Sequence, residues 1–140
     1  MNEMLLVEDD AGDIELMQEA ISSLTLELKI NVVRDGVEAM TYLHQQGDYH
    51  DARIPQLILL DLNLPCKSGR EVLTEIRTDE ALSHLPVIVL TTSRAHEDLI
   101  SSYRLGANAF ITKPIGLKDM AEIIQCVCDF YLNSAQLPNT

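Results

Sequence analysis

Short apolar runs alternate with longer amphipathic stretches along this chain. Met4–Val7 is an apolar run that ends in Glu8, Asp9 and Asp10, and Ile14, Met17, Ile21 and Leu24 then recur at helical spacing. Ile30–Val33 predicts a second short strand, followed by Asp35, Gly36 and a helix through Val37, Met40 and Leu43. Leu57–Leu60, wholly apolar, predicts a third strand running into Asp61, and Val72, Leu73 and Ile76 mark a helix after Gly69. Val87–Leu90 predicts a fourth strand running into Thr91 and Thr92. Leu99, Ile100 and Tyr103 mark the next helix, with Gly106 as its stop. Ala109–Ile111 predicts a short fifth strand before Thr112, Lys113 and Pro114, and Leu117–Leu132 reads as a long last helix. Gln45–Arg53 is polar and reads as an extended loop.

The pattern is a strand followed by a helix, five times over. Continuous apolar strands suit a sheet covered on both faces. Their alternation with helices predicts an α/β fold with a parallel sheet and right-handed crossovers. With 140 residues the expectation is one domain over residues 1–133, a short tail over 134–140 and no output domain.

Charge narrows the function classes. Ten Lys and Arg against 22 Asp and Glu leave a net charge of −12. Such a chain repels nucleic-acid phosphates and anionic membrane surfaces, and it favours cations and basic partners. No apolar run approaches the ~18 residues of a membrane span. The N-terminus lacks a basic signal region, and Cys66, Cys126 and Cys128 have no framework spacing. A cytoplasmic protein with free thiols is the expectation.

In an open parallel sheet, ligands bind beyond the carboxyl ends of the strands. The first strand ends at Glu8, Asp9 and Asp10, the third at Asp61, the fourth at Thr91 and the fifth near Lys113. Arg34 and Asp35, at the end of the second, are placed outside the site, and Asp10 is read as a helix-start residue. Clustered carboxylates repel one another unless a cation relieves them, and oxygen ligands of this kind suit magnesium. Magnesium keeps several coordination positions open, which leaves room for phosphate oxygens. A carboxylate is also a nucleophile toward phosphorus, and an ammonium neutralises a transferring phosphoryl group. The constellation points to metal-assisted phosphoryl transfer to a carboxylate.

LLVEDD, LLDLNLPCKSG, VLTTS and FITKP, in this order and each at a strand end, strongly resemble the receiver domain of two-component response regulators. The resemblance covers Met4 to about Tyr131. It implies the flavodoxin-like (βα)5 fold, with strand order 2-1-3-4-5 and helices on both faces. It implies that Asp61 is the phosphoacceptor. Asp9, Asp61 and the backbone carbonyl of Asn63 would be magnesium ligands, with Glu8 acting through a water. Backbone N–H groups of Asn63 and Thr92 would contact the phosphoryl group. Thr91 would be the switch hydroxyl, Phe110 the switch aromatic, and Lys113 the phosphate-pairing ammonium. A cis Lys113–Pro114 bond is expected on the same ground, and Asn63 and Ser93 stand where the family tunes self-dephosphorylation. Such a domain is a switch and not an enzyme: its own chemistry is self-phosphorylation and slow autodephosphorylation at Asp61. Glu8 stands where many receivers carry Asp. Phe110 replaces the frequent Tyr, which puts the hydroxyl-bearing form of the switch in doubt.

The long segment HQQGDYHDARIPQ, with SYRLGANAFITKP and DFYLN, is similar to the small regulators paired with bacterial phytochromes, especially in cyanobacteria. A light-regulated sensor histidine kinase is the partner this implies, with a downstream protein or phosphotransfer partner beyond it. The last helix carries two apolar stripes: Leu117, Met120, Ile124, Val127 and Tyr131 form one, and Ile123, Cys126 and Phe130 the other. A surface helix buries only one. Either this helix is sunk deeply in the core, or a homodimer forms with Tyr103, Phe130, Tyr131 and Leu132 in its interface. Two other classes stay open: a binding module that works without phosphorylation, and an aspartate-nucleophile phosphatase. Asn63 counts against the latter, because it cannot act as a general acid.

Overall fold

The computed structural model describes residues 2–138. The strands are β1 (Asn2–Val7), β2 (Leu28–Val33), β3 (Leu57–Leu60), β4 (Val87–Thr91) and β5 (Ala109–Thr112). All pair in parallel, in the order β2-β1-β3-β4-β5. The helices between and after them are α1 (Ala11–Ser22), α2 (Gly36–Leu43), α3 (Gly69–Thr78), α4 (His96–Arg104) and α5 (Leu117–Asp129). This is the flavodoxin-like receiver fold anticipated from the sequence.

Each strand of a parallel sheet sends alternate side chains to opposite faces, so the apolar runs of β1, β3 and β4 feed two cores. Leu5, Val7, Ile58, Leu60, Val87 and Val89 pack with α2 and α3 residues such as Met40, Leu43, Val72 and Ile76. Met4, Leu6, Leu57, Leu59, Ile88 and Leu90 face α1 and α5 through Met17, Ile21, Met120 and Ile124. The strands are longer than their apolar runs at polar ends. Asn2 and Glu3 pair with Leu28 and Lys29, and β4 and β5 extend to the paired Thr91 and Thr112. Glu3 is buried, and Arg53 (3.3 Å) and Asn31 (3.3 Å) meet its carboxylate.

Two sequence expectations change. The polar stretch Gln45–Arg53 contains a short 3-10 turn, Gly47–Tyr49, which rests on the α2 side. The last α-helix ends at Asp129, and a wider π-type turn spans Phe130–Ser134. The buried line of α5 is Met120, Ile124 and Cys128, while Leu117 is exposed. Val127, Tyr131 and Leu132 are half-buried against the core, whereas Cys126 and Phe130 face out. The helix is therefore sunk along one line and leaves part of the second stripe uncovered.

Candidate functional site

Strand register brings the chemistry together. Val7 is level with Leu60, and Leu60 with Val89, so Glu8 and Asp61 leave neighbouring strands side by side. The ladder continues one step beyond the strands: Glu8 N–H donates to Val33 O (3.0 Å), Asp61 N–H to Val7 O (3.0 Å) and Lys113 N–H to Thr91 O (2.7 Å). Gly69 starts α3 against this edge. A Cβ there would lie 2.2 Å from the Asp61 carbonyl oxygen, so only glycine lets the helix begin so close to the site.

Lys113 is the electrostatic centre. Its side chain is 6% exposed, and Nζ lies 2.5 Å from Glu8 Oε1, 2.8 Å from Asp13 Oδ2 and 3.2 Å from Asp61 Oδ2. Burial opposes its charge, but the hydrogen bond to Asp13, the close contact with Glu8 and the negative charges of Asp61 and Glu8 outweigh that and hold its pKa above the ordinary lysine value. For Glu8 the balance goes the other way. Burial, aided by the Asp61 charge, pushes its carboxyl up to about 7 despite the Lys113 ammonium.

Glu8 Oε2 accepts from the N–H groups of Asp9 (3.1 Å) and Asp10 (3.2 Å). Glu8 Oε1, though beside the ammonium, has no aligned hydrogen-bond donor. Glu8, Asp9 and Asp61 each offer a carboxylate oxygen, all within 4.8 Å of one another. A buried acceptor without a donor, in a cluster of hard oxygens, fits a divalent cation and its waters.

The resemblance assigns the switch to Thr91 and Phe110. Thr91 is fully buried, and its Oγ1 accepts from Ser93 N–H (3.3 Å). Ser93 Oγ donates to Asp98 Oδ2 (2.5 Å), and Asp98 also takes Arg70 from the start of α3. Thr92 is exposed, and Asn63, also exposed, donates its N–H to Asp61 Oδ1 (3.4 Å). Phe110 is half-buried against the α2–α3 core, and its N–H donates to the hydroxyl of Tyr103 (3.2 Å). Tyr103 and Phe130 are 49% and 56% exposed, which distinguishes them from the half-buried Tyr131 and Leu132.

Three placements differ from the sequence reading. Asp13 reaches Lys113, although only its position one turn into the helix after Asp9 could have signalled this. Arg34 reaches the rim, donating to the Asp9 carbonyl (3.2 Å), because β2 lies directly beside β1; Asp35 instead caps α2. The described residues hold no cis peptide bond, so Lys113–Pro114 is trans. The trans form is the favoured one for X–Pro by ~0.5–1 kcal/mol, and with it Lys113 already meets Thr91 O and its three carboxylates. A cavity of about 670 Å³ lies at the far end of the sheet, between Arg53, Pro55, His84 and Leu137, away from the carboxylates.

The family model for the response regulator receiver domain matches residues 4–125. Response regulator Rcp1 of Synechocystis sp. is 46% identical over 135 residues, 96% of this chain and 92% of that protein. The structure is similar to that of the phosphorylated cyanobacterial phytochrome response regulator RcpA, with a TM-score of 0.93 and 47% identity over 99% of each chain. It is also similar to the Mn²⁺-bound form of Rcp1, with a TM-score of 0.91 and 45% identity over 99% of this chain and 100% of that one. An acidic pair, a strand-end aspartate, a buried threonine and a lysine thus converge in a chain whose sequence and fold match along nearly its whole length, and the chain belongs to the response regulator receiver domain family.

Proposed function

We propose that this chain is a phosphorylation-dependent switch that accepts a phosphoryl group on Asp61 from the phosphohistidine of a sensor kinase, in the cytoplasm and with magnesium. The observation that carries this reading is the convergence of Lys113 Nζ on Asp61 at 3.2 Å, beside the Glu8–Asp9–Asp61 oxygens. Similarity to phytochrome response regulators makes a phytochrome-linked histidine kinase the donor of choice.

A carboxylate oxygen of Asp61 attacks phosphorus and forms the O–P bond. The P–N bond to the kinase imidazole breaks, and its electron pair stays on the ring nitrogen. Lys113 stabilises the charge on the transferring group. Thr91 Oγ1 accepts from Ser93, so its own O–H is free to donate to a phosphoryl oxygen. The N–H groups of Asn63 and Thr92 hold the other oxygens. Asp9, Asp61 and the Asn63 carbonyl would ligate magnesium, with Glu8 acting through a water. The bound ion would neutralise charge on the phosphoryl group. Water later attacks phosphorus, the O–P bond to Asp61 breaks with its electron pair left on the restored carboxylate, and inorganic phosphate leaves, which is slow self-dephosphorylation and not turnover of an external substrate.

Drawing Thr91 inward moves Phe110 and biases a surface built by α4, β5 and α5. There a second copy of the chain, or a downstream protein or phosphotransfer partner, meets Tyr103 and Phe130, with Tyr131 and Leu132 at the edge.

Intact-protein mass spectrometry after incubation with a small phosphodonor and magnesium tests the chemistry. Wild type gains one phosphoryl group and Asp61→Asn gains none. If neither a small donor nor phosphorylated kinases modify the folded, magnesium-bound protein, the chain is a phosphorylation-independent binding module instead.

A further inference from the structure

We propose that Asp13 is a positioning residue that holds the Lys113 ammonium in the unphosphorylated protein and yields it when a phosphoryl group arrives. The inference rests on Asp61 being the phosphoacceptor. An ammonium has three N–H donors, and three carboxylates crowd around Lys113: Glu8 at 2.5 Å, Asp13 at 2.8 Å and Asp61 at 3.2 Å. Nζ hydrogen-bonds Asp13 and Asp61, and Glu8 Oε1 stands beside it without an aligned N–H. A phosphoryl oxygen replaces the Asp61 contact with a more highly charged one, which draws the ammonium toward itself and away from Glu8 or Asp13.

Burial decides which. The Glu8 side chain is 1% exposed, so drawing the ammonium away leaves a buried charge that bulk water does not reach. The Asp13 side chain is 28% exposed and stands in the first turn of α1, where water solvates it on release. Asp13 is therefore the exchangeable partner, and its hold on Lys113 opposes occupation of the site. This gives the acid in the first turn of α1 a role separate from metal binding: it sets how readily the site fills.

The test measures the half-saturating concentration of beryllofluoride, a phosphoryl mimic, at saturating magnesium. Wild type is compared with Asp13→Asn and with Asp10→Asn, which removes a nearby charge that does not contact Lys113. Asp13→Asn should lower that concentration about threefold to tenfold, the range expected when one partly solvent-screened hydrogen bond stops competing. Asp10→Asn should leave it near wild type. The ¹⁵Nζ resonance of Lys113 should shift in unoccupied Asp13→Asn and converge with wild type once beryllofluoride is bound. Unchanged or weaker binding in Asp13→Asn overturns the inference, as does an equal gain in Asp10→Asn, which would make the effect one of net charge. Unfolding midpoints confirm that both variants are folded. Failure of wild type itself to bind beryllofluoride overturns the phosphoacceptor reading and this inference with it.

Discussion

At Glu8 a buried carboxyl shares one ammonium with Asp13 and Asp61. Burial lifts its pKa from 4.5 to about 7, so the folded chain holds a proton there that the unfolded chain has released. Between those two pH values the native state binds more protons, and stability falls as pH rises. The stabilisation is fully present below 4.5 and lost as pH passes about 7. In metal-free protein the loss should be on the order of 3 kcal/mol. Urea unfolding across this range, in chelator, should show wild type losing ground to Glu8→Gln as pH rises. Magnesium should shrink that trend, because a cation favours the carboxylate. A constant difference between the two proteins would count against a buried, proton-holding Glu8. From the sequence, Glu8 is readable as an acid at a strand end. Its rank as the most buried of the site carboxylates depends on Val33 and Lys113, which close around it from far along the chain.

Among the elements, the α4–β5 connection shows how a helix stop becomes a joint. Gly106 adopts φ +102°, a conformation that side-chain-bearing residues rarely take. Its carbonyl accepts from Arg77 Nε (2.8 Å), while the same guanidinium serves Leu85 O (2.8 Å), Ser83 O (3.1 Å) and Asn108 Oδ1 (2.8 Å). Gly106→Ala would put a Cβ 2.9 Å from Arg77. It should cost about 1–3 kcal/mol for backbone strain alone, and more from the Arg77 contact. Urea titration measures the total, and the penalty should be smaller in an Arg77→Ala background. Equal penalties in both backgrounds would show that the two residues are not coupled. Glycine as a helix stop is visible in sequence, since the position wants positive φ. That Arg77 ties α3 to this turn is not, because nothing local marks an arginine whose acceptors are distant backbone carbonyls.

For the molecule as a whole, the uncovered surface is where the proposed output partner would dock. Phe130, just beyond α5, and Tyr103 on α4 stand out into solvent, and Tyr103 also anchors the amide of Phe110. If phosphorylation pairs two copies through this face, Phe130→Ser should remain monomeric after phosphorylation while still gaining the phosphoryl group. Sedimentation velocity on wild type and variant, with and without phosphodonor, reads this directly. A variant that dimerises like wild type would move the interface elsewhere. The two apolar stripes of the last helix show why sequence alone left this open. Helical spacing counts apolar positions but not the depth of the groove that receives them. The observed groove, between α1 and the sheet, takes Met120, Ile124 and Cys128 and leaves Phe130 outside.

The amino-acid sequence by itself determined the alternation of strands and helices, and with it the parallel sheet and the strand ends where Glu8, Asp61, Thr91 and Lys113 meet. These follow from local periodicity and from the geometry of parallel sheets, both of which act over short stretches of chain. Tertiary structure decided how one ammonium is shared among three carboxylates, that Asp13 is one of them, and which aromatic rings remain in solvent. Those depend on distances of a few ångströms between residues far apart in sequence, which are set only when the strands are in register and the helices are packed.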